Sequence, residues 1–220
     1  MVNLILKDIL VQKKPFVFFI VFAVIMNSLY SHMDASYVNV IFIMLPVMII
    51  IGCVTNMSIK DEKAENMINS LPVKRIDIIL AKYLSVFIFI FIASIIIFVS
   101  SSAMNFMGII HLERLMNFKD VEICAIITIF ISSLYFPINF KLGYTNSRYI
   151  LMSLYMCIFF IPLAIEKLIG DKVKVTPEFI VYINNAPNWQ IVSFVICILA
   201  IVMIVSFFIS YFLYKNKDLA

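Results

Sequence analysis

The stretch YLSVFIFIFIASIIIFVSSSAMNFMGII, at Tyr83–Ile110, decides the fold class of this chain, and it contains no charged residue and no proline. A helix crosses the roughly 30 Å of bilayer hydrocarbon with about 20 consecutive apolar residues, and it satisfies its own backbone hydrogen bonds there. A strand of a membrane barrel would alternate apolar and polar residues instead. We therefore predict that this stretch is a membrane-spanning helix, long enough to project beyond the bilayer.

Five further apolar runs lie on either side of this stretch and extend the prediction to the whole protein. Hydrophobic residues make up 64% of the 220 residues, against about 45–50% in a soluble domain. We predict an all-α integral membrane protein that forms one domain over residues 1–220. The six predicted spans cover residues 16–33, 37–59, 78–110, 121–140, 149–166 and 189–214.

The distribution of lysine and arginine predicts the orientation. With the N-terminus inside, twelve of these residues fall on the inner side of the six spans and five on the outer side. Because basic residues concentrate in cytoplasmic loops, both termini are expected in the cytoplasm, in a multi-pass protein of the plasma membrane. The net charge of +4 comes from these loops, so the expected environment is the lipid bilayer and not nucleic acid.

Residues 1–14 precede the first span and read as a short amphipathic helix, which Pro15 interrupts. Such a helix can lie in the membrane interface as an elbow before the chain turns inward. The alternative is a frayed cytoplasmic end, since chain termini are often poorly ordered.

The sequence shows no recognisable catalytic motif. No Asp, Glu, Lys, Arg or His lies well inside any of the six apolar runs, and the only histidines, His32 and His111, are predicted outside the membrane. Metalloprotease, serine hydrolase and nucleotide-binding motifs are absent. The four cysteines each fall in a different run and suggest no metal site. We therefore predict neither an enzyme nor a chain with its own metal or cofactor.

Several polar residues are scattered through the spans, and two interpretations remain open for them. They could line a weakly polar path for an amphipathic cargo, or they could hydrogen-bond neighbouring helices, at about 0.6 kcal/mol for each bond. The candidate path residues are Asn27, Asn39, Asn56, Ser101, Asn105 and Ser132.

The segment between the second and third predicted spans is the most informative part of the chain. Its apolar residues Ala64, Met67, Ile68 and Leu71 recur at helical spacing and form one stripe. Pro72 disfavours helical geometry at the residue before it. We predict an amphipathic helix over residues 60–72, with Ser58 and Asp61 in a capping pattern. Its stripe would be buried by the membrane surface or by a groove on a partner protein.

The stretch DEKAENMINSLPVKRIDIILAKYL, at Asp61–Leu84, resembles the hallmark of ABC-2-type transporter permeases of Gram-positive bacteria. In that family an acidic stretch leads to Ser-Leu-Pro, then to basic residues, and then to a Lys-Tyr-Leu start of the third span. The opening LILKDILVQKK, at Leu4–Lys14, resembles the family's N-terminal elbow, and the six-span plan covers the whole chain.

The resemblance implies an exporter that moves amphipathic peptides or similar hydrophobic cargo out of the cell. Two permeases, identical or homologous, would pair with two copies of a separate ATPase, which would hold the ATP and magnesium. The helix over residues 60–72 would be the coupling helix that docks on that ATPase. The coupling residues implied in this way are Asp61, Glu62, Glu65, Met67, Ile68, Leu71, Pro72 and Arg75.

Two other functions stay open at this point. A membrane immunity protein that intercepts a toxin or bacteriocin would need no ATPase, and its protection would survive deletion of nearby ATPase genes. A membrane enzyme is disfavoured by the lack of ionisable residues in the runs. Loss of an activity on changing His32, His111 or Glu113 would revive it.

Overall fold

The computed structural model of the chain describes residues 2–30, 35–63, 74–108, 115–143, 146–147, 149–153, 156 and 188–215. Over these residues the regular secondary structure is entirely α-helical. The long helices are α1 (Val2–Val11), α2 (Lys13–Tyr30), α3 (Ala35–Lys63), α4 (Arg75–Phe106), α5 (Phe118–Leu142) and α6 (Asn188–Lys215).

Four of these helices hold a stretch long and apolar enough to cross a membrane, within the described residues. The stretches are Phe42–Asp61, Arg75–Phe106, Phe118–Leu142 and Ser193–Lys215. A fifth is present if α1 and α2 form one broken span, since Asn3–Val11 and Lys13–Leu29 meet at 51°. The protein is therefore a multi-pass helical membrane protein, as predicted.

Helices lie at five of the six predicted spans, and the limits of the spans stay a prediction. The first four spans and the last one correspond to α2, α3, α4, α5 and α6. Most of the remaining predicted span, residues 149–166, lies outside the described residues. The count of six spans and an elbow lying in the membrane interface therefore stay predictions.

The end of α3 departs from the sequence prediction. We expected a separate helix to begin at residue 60, capped by Ser58 and Asp61, but α3 continues through Lys63. The Ser58 hydroxyl donates to the Val54 carbonyl oxygen at 3.0 Å, a bond within one helix that leaves no cap to form. This capping prediction was wrong, and residues 64–72 of the expected coupling helix lie outside the described residues.

The residues around the start of helix α4 favour a helix that begins there. Lys74 has extended backbone dihedrals, φ −66° and ψ 136°, two residues after Pro72. Asp77 then lies in the first turn, where a negative charge interacts favourably with the helix dipole. The downstream end of the segment 64–73 is thus the start of α4, and its upstream end is the end of α3.

The core of the bundle lies between α3, α4 and α5. Fully buried side chains include Ile50 on α3, Phe89 on α4 and Tyr135 on α5. Helix α2 packs closely on α3 at Gly52, because a Cβ atom there would lie 2.7 Å from the ring of Phe19. These contacts set the helix positions on which the site below depends.

Candidate functional site

Four charged side chains from three helices form a compact cluster at one end of the bundle. Lys82 on α4 binds Asp8 on α1, with Nζ 3.1 Å from Oδ1, and it also binds Asp61 on α3. Lys7 on α1 lies 2.6 Å from Asp61 and 3.4 Å from Asp8. We call Lys7, Asp8, Asp61 and Lys82 the four-charge cluster. Its two positive and two negative groups balance.

Burial within the cluster is uneven. The side chain of Asp8 is 1% exposed and that of Lys82 is 9% exposed, whereas Asp61 is 21% and Lys7 is 35% exposed. A buried charge is tolerated only when it is paired and hydrogen-bonded, because its loss of hydration costs several kcal/mol. Asp8 and Lys82 are therefore the members that depend most on their partners.

The second oxygen of Asp8 is also satisfied by α4. The Ser85 hydroxyl lies 3.2 Å from Asp8 Oδ2 and 2.8 Å from the Ala81 carbonyl oxygen. Lys82 and Ser85 are three residues apart, so they lie on one face of α4. One turn of α4 thus supplies partners to both oxygens of a single carboxylate on α1.

The bend between α1 and α2 is held by α3. Gln12, at the bend, is completely buried, and its Nε2 donates to the Cys53 carbonyl oxygen at 2.7 Å. Asn56 donates to Gln12 Oε1 at 3.0 Å and reaches the Val11 carbonyl oxygen at 3.4 Å. A helix end leaves carbonyl groups without partners in the helix. The Asn56 amide supplies a hydrogen bond to one such carbonyl group, that of Val11. Helix α1 is therefore attached to α3 at Lys7, within the helix, and at its C-terminal end.

At the other end of the segment 64–73, Arg75 attaches α4 to α6. Its Nη1 donates to the carbonyl oxygens of Tyr214 and Lys215, at 3.1 and 2.7 Å. The guanidinium also lies 5.8 Å from the centre of the Tyr214 ring. These carbonyls belong to the last turn of α6, where orphan acceptors and the helix dipole both favour a cation.

The side-chain amide of Asn139 connects α5 to the same end of the bundle. Asn139 Nδ2 lies 3.4 Å from the Ser58 hydroxyl on α3, and its Oδ1 accepts from the buried Ser147 at 2.9 Å. The ends of α1, α3, α5 and α6 therefore lie near the start of α4. We call this region the charged end of the bundle.

The structure places three of the coupling residues implied by the resemblance. Asp61 lies in the four-charge cluster, Arg75 contacts α6, and Glu62 lies in the last turn of α3. The other coupling residues, Glu65, Met67, Ile68, Leu71 and Pro72, lie outside the described residues.

Several candidate path residues are engaged with other protein groups in this conformation. Asn27 is buried and donates to the Ser100 hydroxyl at 3.1 Å. Ser101 and Ser132 donate to carbonyl oxygens of their own helices, at 3.1 and 2.7 Å. These bonds are the kind expected of interhelical and intrahelical stabilisation. The cargo path stays a prediction.

The three path residues that remain are spread over the described helices. Asn56 supports the bend between α1 and α2. Asn105 is half-buried near the end of α4, and Asn39 lies in α3.

Three residues of the charged end, Asp8, Gln12 and Lys82, are not among the site residues predicted from the sequence, although the sequence carries a signal for the first two. Lys82 is one of the twelve basic residues on the inner side of the predicted spans, and its side chain is buried within the bundle. Asp8 lies one turn after Leu4 on the same face of α1, and Gln12 follows at the same spacing, at the bend after that helix. Asp8 is also the only acidic residue before Asp34. Polar residues on the packed face of a short helix indicate a buried polar partner.

Comparison with known proteins identifies the family of the chain. A family model described as an ABC-2 family transporter protein matches residues 3–215, which is nearly the whole chain. No curated protein and no solved structure matches the chain.

Proposed function

Since the chain belongs to the ABC-2 transporter family, we propose that it is the permease subunit of an ATP-driven exporter, powered by a separate ATPase. In this proposal the charged end faces the cytoplasm. Residues 60–72 dock on the ATPase, and a second permease, identical or homologous, completes the transporter. ATP and magnesium are held by two copies of the ATPase and not by this chain.

The observation that carries the proposal is how the segment 64–73 is anchored at its two ends. Asp61, just before it, is bound by lysines from α1 and α4, and Arg75, just after it, is bound to α6. A partner that displaced the segment would therefore pull on four helices through charged contacts. This arrangement suits the transfer of motion from an ATPase to membrane spans.

The apolar stripe of the segment supports docking on a protein. Met67, Ile68 and Leu71 would lie on one face of a short helix held between two spans. An amphipathic helix places such a face into an apolar groove of its partner. The acidic and basic residues around the stripe would contact the rim of that groove.

The cargo is proposed to be an amphipathic peptide or a similar hydrophobic molecule. The described spans offer mainly apolar surfaces with hydroxyl and amide groups between them. Binding of a charged cargo would need ionisable groups near the membrane centre. In the described residues the ionisable groups of the spans instead gather at the charged end and near the start of α5.

The test is a mild-detergent purification of the tagged protein from its native membrane, with mass spectrometry of the proteins that come with it. We expect an ATPase with Walker motifs, lost in Met67→Asp and in Leu71→Asp because a carboxylate cannot enter an apolar groove. Asn69→Asp is the matched control, since it adds the same charge beside the stripe. Absence of any ATPase, while a control transporter stays intact, would favour the immunity protein instead.

A further inference from the structure

Helix α6 is attached to α4 at two levels, and the four-charge cluster has no part in either. The first attachment is Arg75, whose guanidinium binds the last carbonyl groups of α6. The second is Tyr83, eight residues further along α4, which lies about 12 Å away at the usual helical rise. Its partners Ser210 and Ser206 are one and two turns before Tyr214 on α6, so the two attachments follow one side of α6.

The Tyr83 attachment is a directed chain of hydroxyl groups. The oxygen of Tyr83 lies 2.6 Å from Ser206 Oγ and 3.0 Å from Ser210 Oγ. Ser206 donates its only hydrogen to the carbonyl oxygen of Ser133 on α5. Tyr83 must therefore donate to Ser206, which leaves its own oxygen to accept from Ser210. Three helices are joined by one continuous chain of donors and acceptors.

The aromatic ring of Tyr83 is held as firmly as its hydroxyl. The side chain is 5% exposed, and its ring centre lies 4.9 Å from that of Phe136 on α5 and 5.8 Å from that of Phe207 on α6. Such ring pairs stabilise the packing beyond the effect of their buried area. Contacts of the ring and of the hydroxyl therefore hold Tyr83 between α5 and α6.

The attachments lie on the half of α6 nearest the charged end. In the described part of α6, every side chain of residues 193–205 is at least partly exposed. The side chains of Ser206, Ser210 and Tyr214 are buried. Within the described residues, the hydrogen bonds from α4 to α6 thus lie in the stretch of α6 that is buried.

We propose that Arg75 and Tyr83 are positioning residues that make the last span follow the third when the segment 64–73 is displaced. Arg75 is the second residue after that segment, so it receives any displacement at the start of α4. The two attachments then transmit it to α6 without a hinge between them. This inference rests on the proposed function, because the ATPase supplies the displacement.

The first arm of the test uses the permease alone and needs no ATPase. Hydrogen–deuterium exchange is followed in peptides that cover residues 206–215, with the protein in lipid nanodiscs. We expect Arg75→Gln to speed exchange in the last turn of α6 by about tenfold, because a hydrogen bond to a charged group is lost. Tyr83→Phe should speed exchange around Ser206 and Ser210 several-fold.

Two neighbouring residues provide matched controls. Lys74→Gln removes the same charge one residue earlier, from an exposed side chain. Tyr211→Phe removes a hydroxyl from α6 that makes no hydrogen bond within the described part of the chain. Both should leave exchange unchanged. Equal exchange in Arg75→Gln and Lys74→Gln would overturn the proposal whatever the function of the protein.

The second arm uses the complex with its ATPase and measures motion. Spin labels replace exposed residues Ile76 on α4 and Phe212 on α6, each paired with a label at Val17 on α2, after the four native cysteines are changed to alanine. In the otherwise unaltered protein, both distances should shift on addition of ATP and magnesium. In Arg75→Gln combined with Tyr83→Phe, the α4 distance should still shift and the α6 distance should not.

The outcomes separate the two proposals. A full α6 shift in the double variant would overturn the role of Arg75 and Tyr83 and leave the permease function standing. No shift of either helix in the unaltered complex would contradict the permease function, and the role in transmitting motion would fall with it. The exchange experiment would still decide whether the two attachments exist.

Discussion

The two ends of the segment 64–73 are held by different chemistry. The upstream end is held by the four-charge cluster, in which a nearly inaccessible carboxylate and ammonium satisfy each other. The downstream end is held by one guanidinium on backbone carbonyls and by a chain of neutral hydroxyls. Removing one partner of a buried ion pair leaves an unpaired charge, whereas removing a hydroxyl leaves only a smaller unsatisfied group. The upstream end should therefore tolerate far less change.

The largest effect is expected when Lys82 loses its charge. Lys82→Met removes the closer and more buried cation of Asp8 and leaves that carboxylate only Lys7, at 3.4 Å, so it should cost up to about 3–5 kcal/mol of stability. The measurement is the thermal unfolding midpoint of the purified protein in detergent. Lys14→Met, on an exposed lysine of α2, is the control. Equal midpoints for the two variants would contradict the burial of the cluster.

The next prediction compares removal of one charge with removal of two. Asp8→Leu combined with Lys82→Met replaces the most buried pair by apolar groups, which is often close to neutral for stability. The double variant should therefore unfold at a higher temperature than either single variant. If the two losses simply add, the two side chains do not interact as described.

A third prediction concerns the gradient of exposure inside the cluster. Lys7 is 35% exposed, so water can hydrate its ammonium group and replace much of its interaction with the Asp61 carboxylate. Lys7→Met should cost about 1 kcal/mol or less, as exposed ion pairs do. Unfolding midpoints of Lys7→Met and Lys82→Met, measured side by side, check this order. A loss at Lys7 as large as that at Lys82 would contradict it.

A still smaller effect on stability is expected at the downstream end. Tyr83→Phe keeps the ring contacts with Phe136 and Phe207 and removes the central hydroxyl of the chain. Hydrogen bonds between membrane helices average about 0.6 kcal/mol, with a maximum near 1.7 kcal/mol. The unfolding midpoint of Tyr83→Phe should therefore fall by less than the midpoint of Lys82→Met. A larger fall for Tyr83→Phe would contradict the claim that the upstream end tolerates less change.

The smallest effect is expected where a polar group is satisfied within its own helix. Ser132→Ala removes a hydroxyl that donates to the Thr128 carbonyl oxygen, and it should change stability by about 0.6 kcal/mol or less. If Ser132 lines the cargo path, the variant should keep its stability and alter export by the reconstituted complex. Unchanged export would remove Ser132 from the path.

The fold class could be predicted from the sequence because lipid imposes a simple requirement. Long apolar runs such as Tyr83–Ile110 have few ways to satisfy their backbone except as helices. The positions of five predicted spans followed from composition alone, and helices lie at all five. The end of α3 could not be predicted in the same way, since Ser58 and Asp61 fit a cap and an unbroken helix equally well.

The four-charge cluster was harder to predict for a physical reason. A loop lysine that faces water and one that is paired inside a bundle look alike until the partner helix is placed. Lys82 and Asp8 are 74 residues apart in sequence, and no local periodicity relates them. The same limit applies to Arg75. Its acceptors are backbone carbonyl groups of α6, and every residue has such a group, so no sequence pattern identifies them.

The most direct test of the central claim places a photo-crosslinking amino acid at position 67 of the protein in its native membrane. We predict a crosslinked product that contains an ATPase with Walker motifs. The same probe at position 69, beside the apolar stripe, should give little or none of it. Crosslinks to lipid alone at position 67 would contradict the claim, since the stripe would then lie on the membrane surface and not on a motor protein.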